Sequence, residues 1–281
     1  MILPDTEAVV LAAAANHRAV PGLVAYNLET AQGIVQAAES TGLPVMLQAG
    51  SSAFRHAGLL PLARLALDLA RDTEARVGVH LDHSRSLAEI GTCLDLGYSS
   101  VMVDGSHLDF EDNVALTTAA AELAHRRGSW IEGELGGIAG DEDVSRQAPA
   151  AAMTDPEQAA EFVRRTGVDA LAVAIGNVHG LAPVPPELDL DRLALLRAAT
   201  DIPLVLHGAS GLADETLTAC LDLGVAKVNV NAELRRAFLD ALVAALPAAR
   251  RGDDVAGALD AGRRAVAEAA SRITRLLGRV T

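Results

Sequence analysis

The sequence predicts a closed (β/α)8 barrel, an α/β fold, on three observations. Eight short apolar segments alternate with helical stretches along the chain. Those segments are continuous Val, Leu and Ile runs rather than strict apolar–polar alternation, as a parallel sheet buried on both faces requires. The length, 281 residues, is ordinary for one such barrel. The same alternation also fits a doubly wound open sheet, which is the alternative. Residues 1–281 are read as a single domain.

In order, a helix over 6–20 precedes the first strand, Leu23–Asn27. A helix over 29–40 follows, stopped by Thr41-Gly42. Pro44–Gln48 is the second strand and 58–73 its helix. Val77–His83 is the third strand, with a helix over 86–96, and Ser100–Asp104 the fourth, with a helix over 111–127. Ser129–Leu135 is the fifth strand; Gly136–Asp155, rich in Gly, Asp, Ser and Pro, is too long for an ordinary connection and reads as a lid-type loop. A helix over 156–166, strand 170–176, helix 189–199, strand 203–207, helix 214–223 and strand 225–230 complete the eight units. Two amphipathic helices over 233–278 form a C-terminal extension, which either packs on the barrel or makes an oligomer contact. Cys93–Gly97 and Cys220–Gly224 are identical pentapeptides with the same offset as His80 and His207, an echo of half-barrel repetition.

Composition narrows the partners. A formal charge of −14 excludes nucleic acid and anionic membrane surfaces, but local amides can still bind a small phosphate. Only Cys93 and Cys220 are present, both in apolar segments, as expected of reduced thiols in a cytoplasmic protein. No secretory signal and no apolar run long enough for a membrane span are visible.

The chemistry gathers at strand ends. Val77-Gly-Val-His-Leu-Asp-His83 is an apolar strand that finishes in two imidazoles and a carboxylate. Such an end is stable only when hydrated, hydrogen-bonded or holding a metal. His179 and His207 follow two later strands in the same way, so His83, His179 and His207 all reach the barrel mouth. Three imidazoles with an open fourth position suit Zn2+. Asp82 and His83 would face opposite ways under strict alternation, so the strand must turn by His83. His80 points inward as a partner of the ligands. His17, His56 and His125 read as surface residues and His107 as a loop residue.

Six motifs then occur in order. They are His-Leu-Asp-His (80–83), Val-Met-Val-Asp-Gly-Ser-His (101–107), Glu-Gly-Glu-Leu-Gly (132–136), Ala-Ile-Gly-Asn-Val-His-Gly (174–180), His-Gly-Ala-Ser-Gly (207–211) and Lys-Val-Asn-Val-Asn (227–231). Together they resemble the class II, metal-dependent ketose-bisphosphate aldolases of the fructose- and tagatose-bisphosphate type. The resemblance implies a dimeric or tetrameric barrel with catalytic zinc on His83, His179 and His207. It implies reversible cleavage of a phosphorylated ketose to dihydroxyacetone phosphate and an aldehyde, with Asp82 as acid/base at the aldehyde oxygen. It also implies that Glu142 of the long loop is the mobile acid, and that Asp104 and Glu134 either hold a second divalent ion or form a structural pair. A monovalent cation near the phosphate is a further implied feature.

For the phosphate, Gly180, Gly208, Ala209 and Ser210 offer backbone approach and a hydroxyl, and Asn229, Val230, Asn231 and Ala232 offer amides where a helix begins. The chain departs from the family here: Ala232 stands where the common pattern has Thr or Ser, removing a donor worth about 1–2 kcal/mol. Ser84 replaces a usual His or Cys, and of the serines in Gln48-Ala-Gly-Ser51-Ser52, Ser51 is assigned to the substrate. Other phosphorylated ketoses or deoxy-keto acids remain alternatives, as does a zinc hydrolase on the same barrel. Lys227, the chain's only lysine, would serve a Schiff-base enzyme if its pKa were depressed, but reads better as a core lysine paired with a barrel carboxylate.

Overall fold

Eight parallel strands close on themselves, each hydrogen-bonded to the next in sequence and the last to the first. The computed structural model describes residues 5–140, 152–182 and 184–280. The closed ring rules out the open doubly wound sheet.

The first half of the barrel comprises α1 (Thr6–Ala14), β1 (Val20–Val24), α2 (Leu28–Thr41), β2 (Val45–Gly50), α3 (Ser51–Ala57), α4 (Leu59–Asp72), β3 (Val77–Ser84), α5 (Leu87–Leu96) and β4 (Ser100–Val103). The second half comprises α6 (Phe110–His125), β5 (Trp130–Leu135), α7 (Pro156–Thr166), β6 (Ala170–Val173), α8 (Leu190–Ala199), β7 (Leu204–Leu206), α9 (Asp214–Asp222), β8 (Val225–Val230), α10 (Ala232–Gly252) and α11 (Val255–Leu277).

β6 ends at Val173 rather than at 176, and three further differences from the sequence expectation shape the barrel. α1 stops at Ala14, because the chain must extend from Val20 to pair with β8, Val20 opposite Lys227 and Leu23 opposite Val230. β1 therefore lies three residues earlier than expected. Asn27 is the N-cap of α2, its side chain accepting from the Thr30 amide while the Thr30 hydroxyl receives the Asn27 amide. The third difference is an extra helix: α3 follows β2 directly, where the sequence suggested a loop.

Two apolar regions divide the interior. The larger fills the space between sheet and helices. The smaller plugs the N-terminal end of the barrel with Val20, Met46, Met102, Trp130 and Val205, and Val10 of α1 seals it from below. Each fully buried aliphatic side chain there contributes about 1.5–3 kcal/mol. The opposite end carries polar residues. α11 packs against α2, α9 and β1, with Val266, Ala270, Ile273 and Leu277 buried, and so closes the helical ring; α10 pairs with α11.

Candidate metal centre and active site

β3 sets the position of the first ligand. Its pairing with β4 shifts register between Leu81 and Ser84, and His83 adopts φ +43°, a left-handed backbone that non-glycine residues rarely occupy. This bulge is the turn that the sequence demanded. It lets Asp82 point into the barrel while His83 swings to the mouth.

His207 follows β7 directly, and His179 lies in the loop after β6. That loop is buckled by Asn177, whose side chain accepts from the Ile175 amide at 2.8 Å and donates to the His207 carbonyl at 3.0 Å. The His179 amide donates to the Ala139 carbonyl at 2.7 Å. Gly208 has φ +62°, and any side chain there would collide with the Val178 carbonyl, so glycine lets the two loops meet.

The three imidazoles converge. One ligand atom from each of His83, His179 and His207 lies within 4.8 Å of the others. Nε2 of His83 is 2.7 Å from Nδ1 of His207. Nε2 of His179 is buried and has no hydrogen-bond partner among the described residues. Burial lowers the pKa of His179 and of His207, keeping both rings neutral with lone pairs available. Three converging imidazoles, one of them with a buried ring nitrogen that has no hydrogen-bond partner among the described residues, are the donor set that a divalent zinc ion requires, so the residues fit that metal.

The ring of His207 is fixed from behind. Its Nε2 lies 2.7 Å from Oε1 of Glu132, and Oε2 of Glu132 receives Nζ of Lys227 at 2.9 Å. Nζ of Lys227 also donates to Oδ1 of Asn229 at 2.7 Å, while Nδ2 of Asn229 donates to Oδ1 of Asp82 at 3.0 Å. The other Asp82 oxygen receives Nε2 of Gln48 at 2.9 Å. Burial would raise the pKa of Asp82, but Coulomb attraction to His83 and His207, whenever either is protonated, and to the Lys227 ammonium holds it below its ordinary value. Glu132 is likewise held ionised against burial, chiefly by Lys227 and His207. A side chain on Gly22 would strike both Asn229 and Gln48, so a glycine in β1 makes room for the network.

This network corrects the reading in two respects. Glu132 and Gln48 join the site without having been expected there, whereas the pairing of Lys227 with a barrel carboxylate is the one the sequence suggested. Glu132 and Glu134 alternate on an apolar strand, so both project into the barrel, and a buried carboxylate needs a cation. His80 does not touch a ligand: its Nδ1 bonds the Ser100 hydroxyl at 2.9 Å, its Nε2 is 3.9 Å from Glu132, and burial lowers its pKa to about 3. Lys227 is fully buried in its ion pair, which leaves no free amine for a Schiff base.

Asp104 and Glu134 form a second group with His83, whose Nδ1 lies 3.7 and 3.5 Å from their carboxylates. His83 faces the other imidazoles with Nε2 and these acids with Nδ1, so two cations held at once would require an imidazolate. Arg85 donates twice to Oδ2 of Asp104, at 3.1 and 3.0 Å. Burial raises the pKa of Glu134 to about 8.

Around the phosphate candidates, the Ser210 hydroxyl accepts the Glu233 amide at 3.4 Å and the Gly211 amide donates to the Glu233 carboxylate at 2.9 Å, tying the loop to the start of α10. Asn231 precedes α10 and its side chain meets the Tyr26 hydroxyl. Gly180, Ala209, Val230 and Ala232 cluster at the same end of the barrel, on the loops and element ends around His179, His207 and Asn229. The Asn229 side chain points inward to Asp82, which leaves only its backbone for the amide role expected of it. The Ser51 hydroxyl donates to Glu89 at 2.5 Å. Glu142 lies outside the described residues. His56 and His107 are exposed, and His125 pairs with Asp169 at 3.1 Å.

Known proteins resemble this chain along most of its length. Residues 4–280 match the family model described as fructose-bisphosphate aldolase class-II. A D-tagatose-1,6-bisphosphate aldolase subunit GatY from Klebsiella oxytoca is 44% identical over 225 residues, covering 80% of this chain and 79% of that protein. The crystal structure of the YdjI aldolase from Escherichia coli K12 superposes with a TM-score of 0.85 at 33% identity, covering 99% of this chain and 98% of that one. A fructose-bisphosphate aldolase from Campylobacter jejuni shares the fold, with a TM-score of 0.83 at 20% identity over 99% of this chain and 96% of that one.

Proposed function

The chain belongs to the class-II fructose-bisphosphate aldolase family and is a carbon–carbon lyase, and on that premise we propose that it cleaves a ketose bisphosphate of the fructose or tagatose type, reversibly, to dihydroxyacetone phosphate and an aldehyde. The observation that carries the metal-dependent reading is the meeting of His83, His179 and His207, with His179 Nε2 buried and without a hydrogen-bond partner among the described residues.

Zinc held by these three residues would supply a Lewis acid to the ketose oxygens, where negative charge develops. Asp82 stands next to His83 with both oxygens hydrogen-bonded and its charge retained, so it is poised to take the C4 hydroxyl proton in cleavage and return it in condensation. Glu132 orients His207, and Lys227 keeps Glu132 ionised. The amides of Gly180, Gly208, Ala209, Val230, Asn231 and Ala232, with the Ser210 hydroxyl, would receive the phosphate beside the N-terminus of α10. A monovalent cation there, a second divalent ion on Asp104 and Glu134, and Glu142 as the acid that protonates carbon complete the proposal.

We also propose a cytoplasmic homodimer or homotetramer. Leu239, Val243 and Leu246 are exposed on one face of α10, at the spacing of a helix contact, which supports self-association. No helix among the described residues is long and apolar enough to cross a membrane. Light scattering on the wild type and on Val243→Asp tests the assembly.

The decisive experiment is a coupled assay for dihydroxyacetone phosphate across a panel of ketose phosphates, with and without chelator. The proposal predicts cleavage that is lost on chelation and restored by Zn2+. Turnover that survives exhaustive metal removal would refute it.

A further inference from the structure

The loop after β7 is held from outside the barrel. Gly211 there has φ +84°, and its amide donates to Oε1 of Glu233 at 2.9 Å, so this amide is spent on the protein itself. Oε2 of the same carboxylate receives Nη2 of Arg272 at 3.0 Å, and Nη1 of Arg272 donates to Oδ1 of Asp214 at 3.1 Å. Asp214 opens α9, Glu233 lies in the first turn of α10, and Arg272 belongs to α11. One guanidinium thus clasps the starts of the two helices that follow β7 and β8, the strands whose loops carry most of the phosphate donors proposed above.

An acid at this place works against the anion unless something offsets it. In the first turn of α10 the Glu233 charge favours the helix, but it opposes a phosphate bound beside the same helix start. Arg272 offsets that charge. The Glu233 amide meanwhile donates to Oγ of Ser210 at 3.4 Å, which occupies a lone pair and leaves the Ser210 proton free. Ser210 is only 7% exposed, and no acceptor for that proton occurs among the described residues. A buried hydroxyl with its proton uncommitted is a donor for an oxyanion.

We propose that Glu233 and Arg272 are positioning residues of the phosphate site: Arg272 orients and neutralises Glu233, and Glu233 holds the loop so that Ser210 turns its proton to the phosphate. This rests on the phosphate-binding reading of that loop. It gives the C-terminal helices a task besides packing and self-association, since α11 supplies the cation that lets an acid stand beside an anion. Neither residue touches the substrate. Half of the Arg272 side chain is exposed, so the pair acts through orientation and local charge rather than through stability.

The test uses the zinc-loaded full chain and two readouts: KM and kcat for whichever ketose phosphate the wild type cleaves, and Kd for inorganic phosphate by titration calorimetry. Arg272→Gln should raise both KM and Kd roughly threefold to fivefold, with kcat changed less than KM. Arg272→Lys should recover part of the loss. Adding Glu233→Gln to Arg272→Gln should return both constants towards wild type, because the uncompensated charge is gone while an oxygen remains for the Gly211 amide. A merely structural role would not show that rescue. Unchanged constants in Arg272→Gln, or a loss that the double variant does not relieve in protein whose melting temperature matches wild type, would overturn the inference. A wild type that binds inorganic phosphate but cleaves no ketose phosphate would instead refute the aldolase reading, and the Kd series would still decide the role of the pair.

Discussion

Glu132 Oε1 lies 2.7 Å from Nε2 of His207, a carboxylate–imidazole contact formed wholly inside the barrel. It fixes which nitrogen of His207 carries the proton and which faces the other histidines. Because Lys227 bonds the second oxygen of the same carboxylate, the orientation of a ligand on β7 depends on a cation from β8.

Glu132→Gln is accordingly expected to weaken zinc binding by about 10–100-fold, measured by chelator competition. Lys227→Met should cost about 3–5 kcal/mol of stability by leaving Glu132 charged and unpaired, seen in denaturant melts. Borohydride with dihydroxyacetone phosphate should add no mass to Lys227, and an adduct there would contradict the role given to this lysine.

His207→Ala should abolish turnover and lower bound zinc, as measured by elemental analysis. Asp82→Ala should keep its zinc while turnover falls by about 10²–10⁴-fold, the usual contribution of a positioned acid/base. If Asp82→Ala lost metal instead, its role would be structural.

Ala232→Thr is expected to strengthen phosphate binding. Ala232 is among the residues that line a cavity of about 510 Å3. A new hydroxyl donor worth about 1–1.5 kcal/mol lowers KM for a ketose phosphate roughly tenfold. Unchanged KM would mean that the backbone amides already satisfy the anion.

Glu134 makes the metal-free protein pH-sensitive. Burial lifts its pKa from 4.5 to about 8, so the folded state holds a proton that the unfolded state releases. Its contribution to stability is full below about pH 4.5 and is lost as pH rises towards 8. Melting temperatures of metal-free Glu134→Gln should therefore decline less steeply than wild type between pH 5 and 8.

Both thiols should resist alkylation in the folded protein. Burial and nearby Glu89 push Cys93 up to about 12, and burial raises Cys220 to about 11, against 9.0 for a free thiol. Neither forms appreciable thiolate at pH 8. Iodoacetamide should leave both unmodified in native protein and label both after denaturation. The same shifts disfavour the folded state only above about pH 9.

The barrel was legible because strands buried on two faces must be continuously apolar, and polar residues interrupt such runs only where they are needed. His83, His179 and His207 were found by that logic. The start of β1 was not, since Pro21 and Gly22 break the strand pattern while still lying at the β1–β8 seam. α3 was missed because seven residues without a side-chain N-cap carry little periodicity. Glu132 was visible as an inward carboxylate, but its meeting with His207 across the barrel depends on strand tilt and stagger, which spacing along one strand does not encode.

The burial of Lys227 has a consequence for handling the protein. It is the only lysine in the chain, and none of its surface is accessible. The folded exterior therefore carries its positive charge on guanidinium and imidazole groups alone. Reagents that couple through primary amines, whether for immobilisation, fluorescent tagging or cross-linking, would find no side chain to attack until the barrel opens, apart from the chain's own amino terminus.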